Sequence, residues 1–487
     1  MGSRDDQPAR GPKDSGTRSI GVLRQLASHL KTGRIRSTRL IEESLARIDA
    51  SDLNAIVAVR REDALEDARL VDAALDRGAD PGRLAGLPFL VKDIEDAAGL
   101  PTTFGSLLHA KAGAATEDGL VAGRLRAEGA ILVGKTNVPE FAFEGYTANR
   151  LFGATDNPWA RGRSPGGSSG GSGAALAAGL APIATATDVG GSVRIPASLC
   201  GLVGLKPTVG LIGRDPILAS LDLNSHGVLA STVADTRLLL GILSGPVGGD
   251  VGALPRWRAD DPRPSPRLIA TDRLVPGSAP SAPVARAFAA TLEALSTALG
   301  QPIERVDPGR VFPGGYDADD WFRIVGVEQA HLLGRETVER DLDRFDLAFG
   351  RAMVAALAIP IGEHLDARQR RFRYARELDA LLGETGLLVS PTLMAAGWSA
   401  DGTLDGRSEP GLPGWVYNTE AVNLTGHPAI SLPAGAFPDG LPFGIQVIGP
   451  RFGDSMLLDL AERWEAACAW PLLAPGYRPL AAALGGD

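Results

Sequence analysis

The sequence predicts an α/β protein built as one large domain, on three observations. Short apolar runs that suit buried strands alternate with amphipathic helical segments, the pattern of α/β architecture. The chain has 487 residues, enough to bury a large core. No repeat of fixed period and no clean interdomain linker divides it.

The elements follow in order. The first 17 residues are polar and lack an apolar stretch. They are expected to be a disordered lead-in or expression remnant rather than a secretory signal. Helical patterns then run through about Ser19–Lys31 and Thr38–Ala50. A third covers about Arg61–Arg77, with Ala64, Ala68, Val71 and Leu75 at helical spacing. Leu87–Val91 is a short apolar run preceded by turn residues and reads as a buried strand. A helix at about Asp118–Glu128 leads through Gly129 into a second buried strand at Ile131–Val133. Helices are expected at about Thr232–Leu243 and 281–299, with Gly245–Ser265 as a surface connection and Ile303–Val306 as a strand. The stretch 319–382 reads as mostly helical. Leu387–Val389, Ala429–Leu432 and Gly444–Ile448 read as short strands, and Ser455–Ala467 as a closing helix.

Composition removes several function classes. Lys plus Arg total 49 against 58 Asp plus Glu, a net charge of −9, which speaks against a nucleic-acid surface. No apolar run approaches the roughly eighteen residues of a membrane span. Two cysteines, Cys200 and Cys468, make no disulfide framework, and no Cys/His cluster suggests zinc, so a reducing cytoplasm and no metal are expected. The 61 glycines, about an eighth of the chain, exceed the roughly 7% that is usual. They concentrate between Ser164 and Pro207, which points to function.

Two formal motif matches fail on context. Gly129–Thr136 fits the phosphate-loop pattern GxxxxGK[ST], but its four intervening residues, Ala130 to Val133, form the strand itself. Gly166–Gly170 fits GxSxG, but the nucleophile elbow needs a buried strand before it, and here the charged Arg161-Gly-Arg-Ser-Pro165 precedes it. That reading would make the chain an α/β-hydrolase-like esterase with Ser168 as nucleophile and His364 or His427 downstream.

The stronger signal is the whole block. Ser168 and Ser192 each sit in a glycine-lined loop that leads into a small-residue helical start. Glycines let the backbone approach a reacting centre, and N–H groups at a helix start can hold a developing oxyanion. A serine there is a suitable nucleophile if a base is nearby. The six histidines are scattered. Lys92 closes an apolar strand, and burial would favour its neutral form. A lysine whose ammonium snorkels to solvent fits that motif as well.

Taken together, these residues resemble the amidase signature family. The likeness runs from about residue 20 to 470. It rests on Gly86-Leu-Pro-Phe-Leu-Val-Lys92-Asp93, Gly134-Lys-Thr-Asn137-Val-Pro-Glu140, Leu151-Phe-Gly-Ala-Thr-Asp-Asn157-Pro158-Trp159 and the two serine loops. Gly201-Leu-Val-Gly-Leu-Lys206-Pro207-Thr208 and Asn423-Leu-Thr-Gly-His-Pro428-Ala429-Ile-Ser431-Leu-Pro433 complete it. The resemblance implies a single α/β/α domain over 18–480, with a mixed, mostly parallel central sheet covered by helices. It places the core at 86–210 and a helical substrate-pocket insertion at about 310–385.

The resemblance also implies a Ser–cisSer–Lys triad. Ser192 is then the nucleophile, Ser168 the bridging serine after a cis Gly167–Ser168 bond, and Lys92 the base. The N–H groups of Val189, Gly190, Gly191 and Ser192 would hold the oxyanion. Ser169, Asp188 and Arg194 would support the loops, although a buried ion pair explains the last two equally well. Phe141, Ala142, Phe143, Glu144, Gly145, Tyr146 and Trp415 would line the substrate pocket, with Trp321, Phe322, Phe345 and Tyr417 near its mouth. The expected reaction is hydrolysis of an aryl or apolar amide, or of a carbamate, with esterase or urethanase side activity and no cofactor. The partner is a small molecule rather than nucleic acid or membrane, and a homodimer is compatible with the family. The alternative is the A subunit of a glutamine-dependent amidotransferase. Val416 stands where that protein has an acidic residue for the glutamine amine, which argues against it.

Overall fold

The computed structural model describes residues 21–215, 223–258, 265–277, 279–403 and 416–481. The expected lead-in at 1–17, residues 259–264 of the expected surface connection, and Trp415 lie outside the described residues.

The strands are β1 (Ile56–Val59), β2 (Pro88–Lys92), β3 (Ile131–Thr136), β4 (Ala148–Asn149), β5 (Gly153–Ala154), β6 (Ile183–Asp188) and β7 (Val203–Lys206). After them come β8 (Ser225–Ala230), β9 (Arg267–Ala270), β10 (Glu304–Arg305), β11 (Gly386–Pro391), β12 (Ala429–Ala436) and β13 (Pro442–Ile448). Eleven of them form one sheet in the order β1-β3-β2-β6-β8-β7-β12-β13-β11-β9-β10, while β4 and β5 make a separate ribbon.

A mixed sheet in a single α/β domain is what the sequence implies. Its parallel character is confined to two blocks, β3-β2-β6 and β11-β9-β10. The strands between these blocks, and β1 at the edge, pair antiparallel. The reason is connectivity. β12 and β13 are joined by a short turn, which can only return the chain antiparallel.

Side-chain alternation fixes the layers. Phe89, Val91 and Leu132 point into one core with Leu205, Ile430 and Val447. The helices Val233–Leu243, Ala282–Leu299 and Asp454–Ala467 cover that face. Leu90, Ile131 and Val133 point the other way, against the helices Ser37–Ala50, Arg61–Asp76 and Gly170–Ala177. Farther along the same sheet, Ile269, Leu388 and Ile448 pack beneath Ile324 of helix Asp320–Leu333 and Tyr374 and Leu378 of helix Ile361–Leu382. Each such side chain, fully buried, contributes about 1.5–3 kcal/mol by leaving water.

The stretch expected to be mostly helical divides into Asp320–Leu333, Arg335–Arg340, Leu347–Leu357 and Ile361–Leu382. Gly129–Thr136 runs into strand β3 as expected, and Lys135 is buried with Nζ donating to Thr102 Oγ1 at 3.0 Å. The glycine excess has a packing cause in helix Gly170–Ala177, which is buried throughout. A Cβ on Gly171 would lie 2.4 Å from the Asn137 backbone nitrogen. Only glycine lets this helix lie so close to the β3 exit.

Candidate active site

Three neighbouring segments build the site. Strand β2 ends at Lys92, whose side chain is fully buried. Lys92 Nζ donates to Ser168 Oγ at 2.7 Å and to Thr187 Oγ1 at 2.8 Å, the latter on β6 beside β2. The Gly167–Ser168 peptide bond is cis, as the resemblance implies. Burial pulls the Lys92 amine down to about 7, although the charges of Glu95 and Asp188 oppose the fall. The snorkelling alternative is therefore excluded by position.

Strand β6 runs out at Asp188 into the loop that carries Ser192. Val189, Gly190 and Ser192 line a cavity together with Ser168 and Thr187. Among the described residues no partner takes the N–H of Val189, Gly190 or Ser192. Gly191 differs from its expected role. It is buried, it is absent from the cavity wall, and its N–H donates to Asp188 Oδ1 at 2.8 Å. That donor is spent on holding the loop, so it does not face a substrate oxygen.

Asp188 and Arg194 form a buried pair rather than cavity groups. Arg194 Nε and Nη2 donate to the two Asp188 oxygens at 3.0 and 2.8 Å. Arg194 also reaches Gln446 Oε1 and Asn423 Oδ1, both at 2.6 Å. Burial alone would raise the Asp188 carboxyl, but the guanidinium overrides it and holds it at about 2. Asn423 Nδ2 closes the cluster on Asp188 Oδ1 at 2.8 Å. Ser169 supports the two loops from its backbone, its N–H donating to Ser192 O at 3.3 Å.

Of the expected pocket residues, Phe141, Ala142, Phe143, Glu144 and Gly145 line the cavity. Tyr146 does not. Its ring is buried against Ile195, Leu199, Trp398 and Val416 because the chain turns inward after Gly145. Trp321 lines the cavity, and its indole N–H donates to Val189 O at 2.9 Å. Phe345 packs instead on Phe349 with ring centroids 5.5 Å apart, Phe322 stands behind Phe143 at 6.4 Å, and Tyr417 joins the apolar cluster under the helices.

Sequence reasoning misses four lining residues of consequence. Thr187 holds the lysine, Gln329 and Asn224 offer amides, and Glu420 brings a second carboxyl. Glu420 stands three residues before Asn423, so the Asn-Leu motif could have signalled it. Counting back from that motif leads instead to Val416, which indeed lines the cavity as an apolar residue. The histidines stay elsewhere. His364 Nδ1 faces Arg323 O at 2.9 Å, His427 Nε2 faces Asp379 Oδ1 at 3.1 Å, and neither lines the cavity. The esterase alternative with Ser168 as nucleophile thus lacks the histidine it called for. Among the described residues no group of three His, Cys, Asp or Glu is placed to hold a metal ion, and no helix is long and apolar enough to cross a membrane.

Comparison with known proteins gives the family. An acylamidase of Rhodococcus erythropolis is 34% identical over 473 residues, spanning 92% of this chain and 95% of the relative. The A subunit of the glutamyl-tRNA(Gln) amidotransferase of Thioalkalivibrio sulfidiphilus is 34% identical over 481 residues, spanning 92% and 97%. The crystal structure of a bacterial aryl acylamidase of the amidase signature enzymes superposes with a TM-score of 0.81 at 26% identity, over 91% of this chain and 95% of that one. The profile of the amidase family matches residues 39–458, and the chain belongs to that family.

Proposed function

We propose that this chain hydrolyses the acyl C–N bond of an aryl or otherwise apolar amide through an acyl-enzyme on Ser192. The observation that carries the reading is the 2.7 Å contact between a fully buried lysine and Ser168, in a cavity wall that also presents Ser192 below unpaired N–H groups. The family to which the chain belongs, and the acylamidase among its relatives, support amide hydrolysis.

The steps follow from the groups in place. Neutral Lys92 accepts the Ser168 proton while Ser168 accepts that of Ser192, whose oxygen bonds to the carbonyl carbon. The carbonyl oxygen takes the negative charge and is stabilised by the N–H groups of Val189, Gly190 and Ser192. As the C–N bond breaks, the proton returns through Ser168 to the departing nitrogen. Water then adds to the acyl-enzyme by the same relay and releases the acid and Ser192. Carbamates present the same carbonyl between two heteroatoms, so urethane cleavage follows from the same site.

Phe143 and Trp321, with ring centroids 5.7 Å apart, favour an aryl or apolar substrate group. Val416 stands in the cavity wall at the position where the amidotransferase A subunit carries its acidic residue, so that particular carboxyl is missing here. The test is amine release by the purified chain and by Ser192→Ala across aliphatic amides, anilides, glutamine and aryl carbamates. Release from anilides or carbamates that requires Ser192 supports the reading. Release from glutamine alone, or release unaffected by Ser192→Ala, overturns it.

A further inference from the structure

Two carboxyl groups, Glu144 and Glu420, face the substrate cavity and have no role in the relay. Glu420 belongs to helix Tyr417–Thr425 and is 5% exposed. Glu144 follows Phe143 in the cavity-lining turn, and its Oε2 is buried with no hydrogen-bond partner. Among the described residues no donor or cation reaches either carboxyl group. That is costly, because a buried carboxyl without a partner loses its hydration and gains nothing in return.

The rest of the wall sharpens the point. Glu144 and Glu420 are its charged side chains, and among the described residues neither lysine nor arginine joins them there. Phe143 and Trp321 supply aromatic faces in the same wall. Acidic oxygens beside aromatic faces form a site for a cationic amine. Burial pushes Glu144 up to about 7 and Glu420 up to about 8, with the Asp346 charge adding to the rise at Glu144 and the Glu144 charge to that at Glu420.

We propose that Glu144 and Glu420 form a subsite for an ammonium group on the substrate's acyl portion, so that the preferred substrates are amides of amino-substituted acids. The inference rests on the amidase reading of the site. An ammonium entering between the two carboxyls supplies the partner both lack. It also lowers their proton affinity, so binding releases protons to solution.

The test compares ω-aminoacyl anilides of increasing chain length with fatty-acyl anilides in which methyl replaces the ammonium. For the best-fitting length the wild-type kcat/KM should favour the amino compound by about tenfold or more, the size of a buried charge-assisted hydrogen bond. Glu420→Gln and Glu144→Gln, which keep shape and remove charge, should each reduce that ratio. A second arm needs no turnover and no altered glutamate. The amino compound should bind Ser192→Ala at least about tenfold more tightly than its methyl counterpart, with proton release visible by calorimetry in buffers of different ionisation enthalpy. Equal affinities, a preference for methyl, or a ratio untouched by both glutamine variants would overturn the subsite. If neither anilides nor carbamates are hydrolysed, the amidase reading fails on its own account, and the binding arm still decides the subsite.

Discussion

Lys92 Nζ lies 2.7 Å from Ser168 Oγ, joining two segments 76 residues apart behind the cavity wall that Ser168 lines. The contact depends on strand order. β2 is hydrogen-bonded to β6, so Lys92 and Thr187 end neighbouring strands and the amine is pinned between Thr187 and Ser168. Both serines line the cavity wall, and the proposed relay runs from Ser192 through Ser168 to Lys92. Ser192→Ala should therefore cut turnover by about a thousandfold or more and abolish any covalent adduct with an acylating inhibitor, read by intact-protein mass. An adduct that persists in that variant and maps to Ser168 would refute the order of the two serines.

Acting as a base, Lys92 must be neutral. Burial places its titration at about 7, so the active fraction grows as pH rises through that value. For an uncharged substrate, kcat/KM should climb about tenfold per pH unit below 7 and level off above it. Glu144 and Glu420 titrate close by, at about 7 and 8. The limb should survive in the Glu144→Gln/Glu420→Gln variant, which assigns it to the lysine. A profile that becomes flat there would assign it to the glutamates.

The same burial has a stability consequence with a definite sign. Lys92 binds its proton less tightly folded than unfolded, so the unfolded chain holds more protons between pH 7 and about 10.4. This group's contribution to the unfolding free energy thus rises with pH over that window. Lys92→Met should be inactive yet at least as stable as the parent near neutral pH, checked by thermal unfolding. A marked drop in melting temperature would show that the bonds to Ser168 and Thr187 outweigh the desolvation.

Arg194 tests the other buried charge. Its removal takes the hydrogen-bonded guanidinium from Asp188 in a dry core, a loss of about 3–5 kcal/mol by analogy with broken buried pairs. Arg194→Met should show this at neutral pH by denaturant unfolding. In the parent, the Asp188 carboxyl titrates at about 2, below its unfolded value. Its contribution is then present above about pH 4 and lost as pH falls towards 2. The variant should lack that part of the acid-induced decline.

Much of the site is legible in the sequence because its chemistry sits in contiguous loops. Lys92, Ser168 and Ser192 are readable from the apolar strand before the lysine and the glycines around each serine. Strand β6, Ile-Ala-Thr-Ala-Thr-Asp, does not read as a strand, since alanine and threonine dilute the apolar signal inside a glycine-rich block. Strands β7 and β8 are hidden likewise by glycines, at Gly204 and Gly227. The role of Gly191 escapes the sequence because a backbone donor is visible there but not what accepts from it. The polarity of the pocket escapes for a different reason. Glu420 reaches the cavity only through helix Tyr417–Thr425, whose approach to Glu144 is set by tertiary packing across 276 residues.

The helical segment after residue 319 has a task that only the structure reveals. Trp321 Nε1 donates to Val189 O, and Thr419 Oγ1 donates to Gly190 O at 2.7 Å. In this clamp the first bond holds the Val189–Gly190 peptide, whose N–H is the unpaired donor of Gly190, and the second holds the Gly190–Gly191 peptide, whose N–H is taken by Asp188. A Cβ on Gly190 would lie 3.0 Å from the Trp321 ring, which shows how closely the clamp fits. Trp321→Phe keeps an aromatic in the wall but removes the N–H. The expected cost in stability is about 1 kcal/mol, since one hydrogen bond is lost and the Val189 carbonyl can turn to the cavity. The expected cost in kcat is larger, about tenfold or more, because misplaced oxyanion donors weaken the transition state more than the bound substrate. Steady-state kinetics on a neutral anilide separates the two outcomes. A change confined to KM would make Trp321 a pocket wall and nothing more.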